Sequence, residues 1–395
     1  MEAILGYPGH ATLLPDIVRA ENCTLHAADG RRIVDLEAGV WCLCLGHGHP
    51  RVLQALSEQA ALIAHAGYAY SHPVVAAAAD DLLARLGLAG GRCVLLASGS
   101  EAVEYGVRTA QLLAERPLLL TMSDSYFGAY GSASRRQPDE WVVYDWLARG
   151  DCGHGEDCLA RCAHWAALPF ERIGGLLLEP GSSSGLVRFP PRALVRRLAA
   201  RIQGEGGLLL VNEVTTGLGR TGRWFGFQHY DLAPDIVALG KGLGNGYPVS
   251  ATALAPRVAQ RLGDRLPRYA QSHQNDPLGA AVLRAVIRAL AEEGLSERSR
   301  ELGEWFLAEL LAIAEREPRL AAVRGRGLML ALELEDAPGA PFTAALQRAL
   351  LEAGYLVAQR PGLKVLRVDP SLTVPREALA GFLTALPVAL GRAAG

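Results

Sequence analysis

The chain has 395 residues, half of them hydrophobic and a fifth charged, with a net charge of -2. This composition excludes a disordered chain and provides no field that would gather nucleic acid or an acidic surface. Of 39 basic residues only Lys241 and Lys364 are lysines, so chemistry that needs a free amine has two candidates. No apolar run reaches the ~18 residues of a membrane-crossing helix, so no membrane partner is expected. The start, MEAILGYPGH, has no basic region and no long apolar stretch, so no signal peptide is expected. Seven cysteines, an odd set in a long chain, read as reduced thiols and point to the cytoplasm.

Residues 21–36 predict two short strands around the turn Asp29-Gly30. Apolar runs then alternate with helical patterns. CVLLAS (93–98) precedes the helical EAVEYGVRTAQLLAE, and PLLLTM (117–122) precedes a Gly-rich turn. IGGLLLE (173–179) precedes a loop and then the helical RALVRRLAARIQGE. GLLLVNE (207–213) and DIVALG (235–240) follow. Short, fully apolar strands spaced by amphipathic helices predict an α/β fold with a mostly parallel sheet between helices. From about residue 278 the pattern changes to long helices, then strand-like LMLALELE and LKVLRV with a helix between them. The expected division is a large α/β domain over 50–280 and a smaller α+β domain from 1–49 and 281–395.

Lys241 follows the apolar run DIVAL and is succeeded by Gly242, Gly244 and Gly246. A lysine at the mouth of a parallel sheet, partly desolvated, has a lowered pKa and is competent as a nucleophile. A lysine in general is more often a solvated strand end, but its rarity in this chain and its glycine-rich setting weigh against that reading here. Ser98-Gly99-Ser100 lies between a predicted strand and helix, where free amides, the helix dipole and the Ser100 hydroxyl suit a phosphate as well as an ordinary N-cap.

The segment 208–248 resembles the class III aminotransferases, pyridoxal-phosphate (PLP) enzymes of fold type I. It carries Asn212-Glu213-Val214-Thr215-Thr216-Gly217-Leu218-Gly219-Arg220-Thr221-Gly222, then Pro234-Asp235, Lys241-Gly242 and Gly246-Tyr247-Pro248. Gly46-His47 with Pro50, Ser98-Gly99-Ser100-Glu101-Ala102, Glu179-Pro180 and Arg324-Gly325-Arg326-Gly327 extend the likeness over about 22–385. The resemblance implies that Lys241 forms the internal aldimine with PLP and later shuttles the Cα proton. It implies cofactor contacts from Gly99, Ser100, Tyr126, Phe127, Asn212, Val214 and Thr215, with Tyr126 on the ring. Ser272 would send its hydroxyl to the phosphate of a neighbouring subunit, which implies a homodimer with shared sites.

Several positions depart from the family pattern. Asn212 stands where the family has an Asp paired with the pyridine nitrogen, and a neutral amide cannot stabilise a pyridinium charge. Thr215 replaces a Gln, and Asn275 and Asp276 follow Ser272 where Gly and Asn are usual. Ala129 and Ser184 replace an Arg and a Glu of the glutamate-type double clamp. Arg367, in LRVDPSL, matches the remaining arginine, and Trp41 is a candidate wall of the substrate pocket, equally readable as core.

The expected function is a PLP-dependent aminotransferase working by a ping-pong cycle between small-molecule amine or amino-acid donors and ketone or aldehyde acceptors. The alternative raised by Asn212 is racemisation, epimerisation, decarboxylation or elimination on the same fold. A cofactor-binding homologue with little turnover is a third reading, opposed by the intact Lys241. Cys152, His154, Cys158, Cys162 and His164 cluster locally, but the spacing lacks the tight pairs of closed zinc sites, so an exposed insertion and no metal are expected.

Overall fold

The computed structural model describes residues 4–6, 12–67, 69–147, 162–335 and 342–394. The centre is a seven-stranded sheet in the order β4-β10-β9-β8-β7-β5-β6. Its strands are β4 (Arg92–Leu96), β5 (Leu118–Met122), β6 (Trp141–Tyr144), β7 (Ile173–Leu178), β8 (Leu208–Asn212), β9 (Ile236–Leu239) and β10 (Ser250–Leu254). From β6 to β9 neighbouring strands run parallel. β10 is antiparallel to both β9 and β4. Every residue of β5, β7, β8, β9 and β10 is buried. Successive side chains of a strand point to opposite faces, so both faces of this sheet are covered. The helix Gly99–Leu113 packs against β7 to β10, and the helix Arg192–Gly204 against β7 and β8.

β6 and β10 lie outside the strands predicted from the sequence. Ser250 and Thr252 give β10 a polar cast that disguises it. Ser250 Oγ donates to the Ser98 carbonyl at 2.7 Å and Thr252 Oγ1 to the Ala102 carbonyl at 2.7 Å. Those bonds satisfy two hydroxyls that burial would otherwise leave unpaired.

Two smaller sheets flank the centre. β1 (Ile17–Glu21), β2 (Thr24–Ala27) and β3 (Arg32–Asp35) are joined by β13 (Tyr355–Leu356), which runs parallel to β3. The expected turn at Asp29-Gly30 connects β2 and β3, with the Arg31 backbone N–H and Nε both donating to the Asp29 carboxylate. The other sheet has the order β11-β12-β15-β14, from Leu320–Arg326, Met329–Leu334, Val365–Val368 and Ala358–Gln359. The two ends of the chain therefore share one sheet, and Trp41 packs with Met329, Ala331 and Val365 against the other.

Candidate active site

Parallel strands leave their carboxyl ends along one edge of a sheet, where ligands of α/β proteins bind. Here that edge carries polar residues at the ends of apolar strands. Asn212 is the last residue of β8, Glu179 follows β7, and Lys241 follows β9 by two residues. Asn212 and Lys241 line a cavity of about 180 Å³ together with Gly99, Ser100, Val103, Tyr126, Phe127, Gly128, Ser183, Val214 and Thr215, while Glu179 lies outside that lining.

Lys241 has a backbone φ of 47°, a left-handed conformation that costs a non-glycine residue on the order of 1 kcal/mol. Strain of this kind persists where the surroundings over-determine the residue. Nζ donates to Thr215 Oγ1 at 2.9 Å and lies 5.2 Å from the Trp41 ring centroid. Burial lowers the Lys241 pKa, with the Glu179 carboxylate opposing. A less protonated amine is a better nucleophile and a better proton carrier near neutral pH.

The helix Gly99–Leu113 starts at the cavity, capped by Ser98, whose Oγ accepts from the Glu101 N–H at 3.3 Å. The Ala102 N–H reaches the Ser98 carbonyl. That leaves Gly99 and Ser100 as the N–H groups of the first turn taken up neither by a helix carbonyl nor by the Ser98 cap. Ser100 Oγ accepts from the Ala129 N–H at 3.0 Å and keeps its own proton to donate. Two glycines keep the cradle open. Gly128, at φ +113°, would place a Cβ 2.5 Å from Ser100 Oγ, and a Cβ on Gly99 would lie 2.7 Å from Val214 Cγ1.

Glu179 is 3% exposed and its carboxyl is pushed up to about 7 by burial, against hydrogen bonds from Ser183 and the Tyr126 N–H that favour the anion. The sequence motif contained Glu179 without a role, and Ser183 and Val103 had none. The signal for Glu179 is local: it is an acid placed directly after six apolar residues of a buried parallel strand.

Of the residues expected at the cofactor, Ser272 alone lies outside the cavity lining, exposed on a turn. That turn is pinned by its two departures from the family pattern. Asn275 Oδ1 accepts from the Leu95 N–H at 2.9 Å, and Asp276 accepts from His65 and His273, each at 2.5 Å.

Trp41 and Arg367 come together beside Lys241. The Arg367 guanidinium carbon sits 3.7 Å from the Trp41 ring centroid. Arg367 is 7% exposed, and its Nε makes no hydrogen bond. Carboxylates of Glu37 and Asp369 approach it at 3.9 Å. Ser184 faces elsewhere, donating to Asp124. Cys152, His154 and Cys158 lie outside the described residues, while Cys162 is buried.

These donors fit PLP: unreached amides and a hydroxyl at a helix start suit its phosphate, and a partly desolvated amine shares the cavity. The chain is similar along nearly its whole length to known proteins. The family model described as aminotransferase class-III matches residues 6–133 and 154–390. The acetylornithine aminotransferase of Mycobacterium tuberculosis is 36% identical, over 93% of this chain and 89% of that protein. The Streptomyces coelicolor acetylornithine aminotransferase is 32% identical, over 96% and 91%. A PLP-bound amine transaminase from an uncultivated Pseudomonas species superposes with a TM-score of 0.88 at 25% identity, covering 98% of both chains. These relatives do not favour the racemase, decarboxylase or lyase alternative. The chain belongs to the class III aminotransferases and is a PLP-dependent transferase.

Proposed function

We propose that this enzyme moves an amino group from a carboxylate-bearing amine to a keto acid in a ping-pong cycle, with Lys241 as the residue that binds the cofactor covalently and carries the proton. When bound, PLP supplies the carbonyl that takes the amino group and a ring that accepts the electron pair released at the substrate carbon. Lys241 Nζ, freed by the incoming amine, holds the proton removed from Cα. Thr215 Oγ1 orients that amine from one side. Gly99 and Ser100 would hold the phosphate through backbone N–H groups and the Ser100 hydroxyl. Tyr126, Phe127 and Val214 would enclose the ring, and Asn212 would take its nitrogen.

The observation that carries the substrate class is Arg367. A guanidinium this deeply buried with Nε unsatisfied is costly unless a ligand completes it, and a carboxylate matches its planar fork. Acetylornithine, the substrate named for the curated relatives, has such a carboxylate and is the first donor to try. With Ala129 in place of the first clamp arginine, Arg367 is the clamp arginine left among the described residues, so a donor with a second, distal carboxylate gains no second clamp. Half-reaction absorbance with acetylornithine, glutamate and a carboxylate-free arylamine tests the reading. Conversion of the cofactor band by acetylornithine at a rate at least about tenfold above the arylamine is expected. Faster conversion by the arylamine overturns the substrate class.

The same reading makes the active unit a homodimer. Ser272 is exposed and away from its own cavity, so its hydroxyl serves a cofactor only in a second copy. Sedimentation of the loaded enzyme is expected to give a dimer, with an interface burying about 2,000 Å² or more. A fully active monomer contradicts it. No described helix is long and apolar enough to cross a membrane. The odd set of seven cysteines in a long chain is what supports a cytoplasmic setting. The substrates are small molecules, with no nucleic-acid partner.

A further inference from the structure

Asn212 is neutral where a charge is chemically useful, and its surroundings show how the charge is supplied. The Val214 N–H donates to Asn212 Oδ1 at 3.1 Å, and Asn212 Nδ2 donates to the Tyr126 carbonyl at 3.1 Å. Both partners are backbone groups with fixed polarity. A flipped amide would set N–H against N–H and oxygen against oxygen, so one orientation is enforced. The other Nδ2 proton faces Glu179 Oε1 at 3.5 Å. An Asn amide has two protons and two oxygen lone pairs. The position left over is the second lone pair of Oδ1, so Asn212 offers the cavity an uncharged acceptor rather than a donor.

Glu179 stands directly behind it. It follows β7 as Asn212 ends the adjacent β8. Oε1 accepts from Ser183 Oγ at 2.5 Å and Oε2 from the Tyr126 N–H at 3.0 Å. The Tyr126 peptide therefore ties the two side chains together, its N–H on Glu179 and its carbonyl on Asn212. The charged groups acting on Glu179 are the cations Lys241 and Arg136. Burial favours its neutral form, and a new positive charge close by favours the anion.

We propose that Asn212 and Glu179 act together as a split carboxylate toward the ring nitrogen of the cofactor: Asn212 Oδ1 accepts its N–H, and Glu179 supplies the negative charge that keeps it protonated. This rests on the cavity being the PLP site and adds Glu179 to it as a positioning and charge-setting residue.

The test reads the cofactor rather than turnover. Protein loaded with PLP carrying 15N at the ring position is titrated across the neutral range while the NMR shift of that ring nitrogen is followed. A nearby negative charge raises the pKa of a cation, so removing it lowers the midpoint. Glu179→Gln is expected to lower the midpoint by about one pH unit or more and to weaken PLP binding about tenfold. In the paired variant Asn212→Asp, Glu179→Gln the charge moves forward one residue, and the midpoint is expected to return. A purely structural role for Glu179 predicts no such return. A wild-type midpoint in Glu179→Gln, or a paired variant that stays as low as the single one, overturns the proposal. Where Glu179→Gln fails to fold, Ser183→Ala removes a hydrogen bond that favours the Glu179 anion and is expected to lower the midpoint in the same direction; an unchanged midpoint there also overturns it. If wild-type protein forms no borohydride-trapped PLP adduct, the cavity assignment itself fails. If it forms the adduct but the midpoint ignores Glu179, only the split carboxylate fails.

Discussion

Lys241→Ala is expected to abolish the borohydride-stable PLP adduct and to lower transamination at least about 10³-fold, the scale on which a lost proton carrier and nucleophile are felt. Lys364→Arg is expected to leave both intact. The comparison is decisive because the chain has only these two lysines. Lys364 is exposed, immediately before β15 in a peripheral sheet. Lys241 sits in the cavity with Nζ on Thr215. Mass spectrometry of the reduced, digested protein reads the outcome directly. Labelling that survives Lys241→Ala removes Lys241 from the centre of the mechanism. Because Lys241 is left-handed at φ 47°, Lys241→Gly offers a control that relieves backbone strain while still lacking the amine. It is expected to melt no lower than Lys241→Ala and to be equally unlabelled.

The parts of this fold that were legible in the sequence are those whose physics is local. β5, β7, β8 and β9 are short, mostly aliphatic runs because both faces of the sheet are covered, and that burial leaves a nearly continuous apolar string. The edge of the site was legible for the same reason: a polar residue ending such a string, as Asn212 ends LLLVN, has no reason to be there except chemistry or a cap. β10 was not legible. Its serine and threonine are satisfied by carbonyls of residues far away in sequence, and no local pattern announces that. β11 hides behind the charged end Arg324-Gly325-Arg326. The link between Glu179 and Asn212 depends on β7 and β8 being neighbours in register, with Leu178 opposite Val211. The sequence predicts the strands but not which residues at their ends come to lie side by side. The same holds for the stack of Arg367 on Trp41, which joins opposite ends of the chain. Motif reading names the residues there, and only the fold shows that Glu37 and Asp369, rather than a residue at position 184, are the acids facing Arg367.

Arg367→Ala is expected to lower kcat/KM for carboxylate-bearing donors about 100-fold, since hydrogen bonds to charged groups contribute roughly 1.5–3 kcal/mol each and ~1.4 kcal/mol is a factor of ten. The loss is expected mainly in KM, because the guanidinium grips a part of the substrate that does not react. Arg367→Lys is expected to recover little, as an ammonium lacks the planar fork and the flat stack on Trp41. The variant also disturbs the fold, and that effect must be separated from the loss of grip. Asp369 is fully buried, and burial already pushes its carboxyl up to about 6 although Arg367 and Arg220 favour the anion. Removing Arg367 takes away one of those cations, so Asp369 is expected to hold its proton to higher pH and the protein to lose about 1–3 kcal/mol of stability. A carboxylate-free amine assayed on the same preparation corrects for this, because misfolding lowers both rates equally while a lost clamp lowers one. The ratio of the two rates is therefore the measured quantity. A fall of about 100-fold in that ratio assigns Arg367 to the substrate carboxylate. A ratio that stays at the wild-type value, with both rates reduced together, would make Arg367 a structural partner of Asp369 and Trp41, and the substrate carboxylate would have to bind elsewhere.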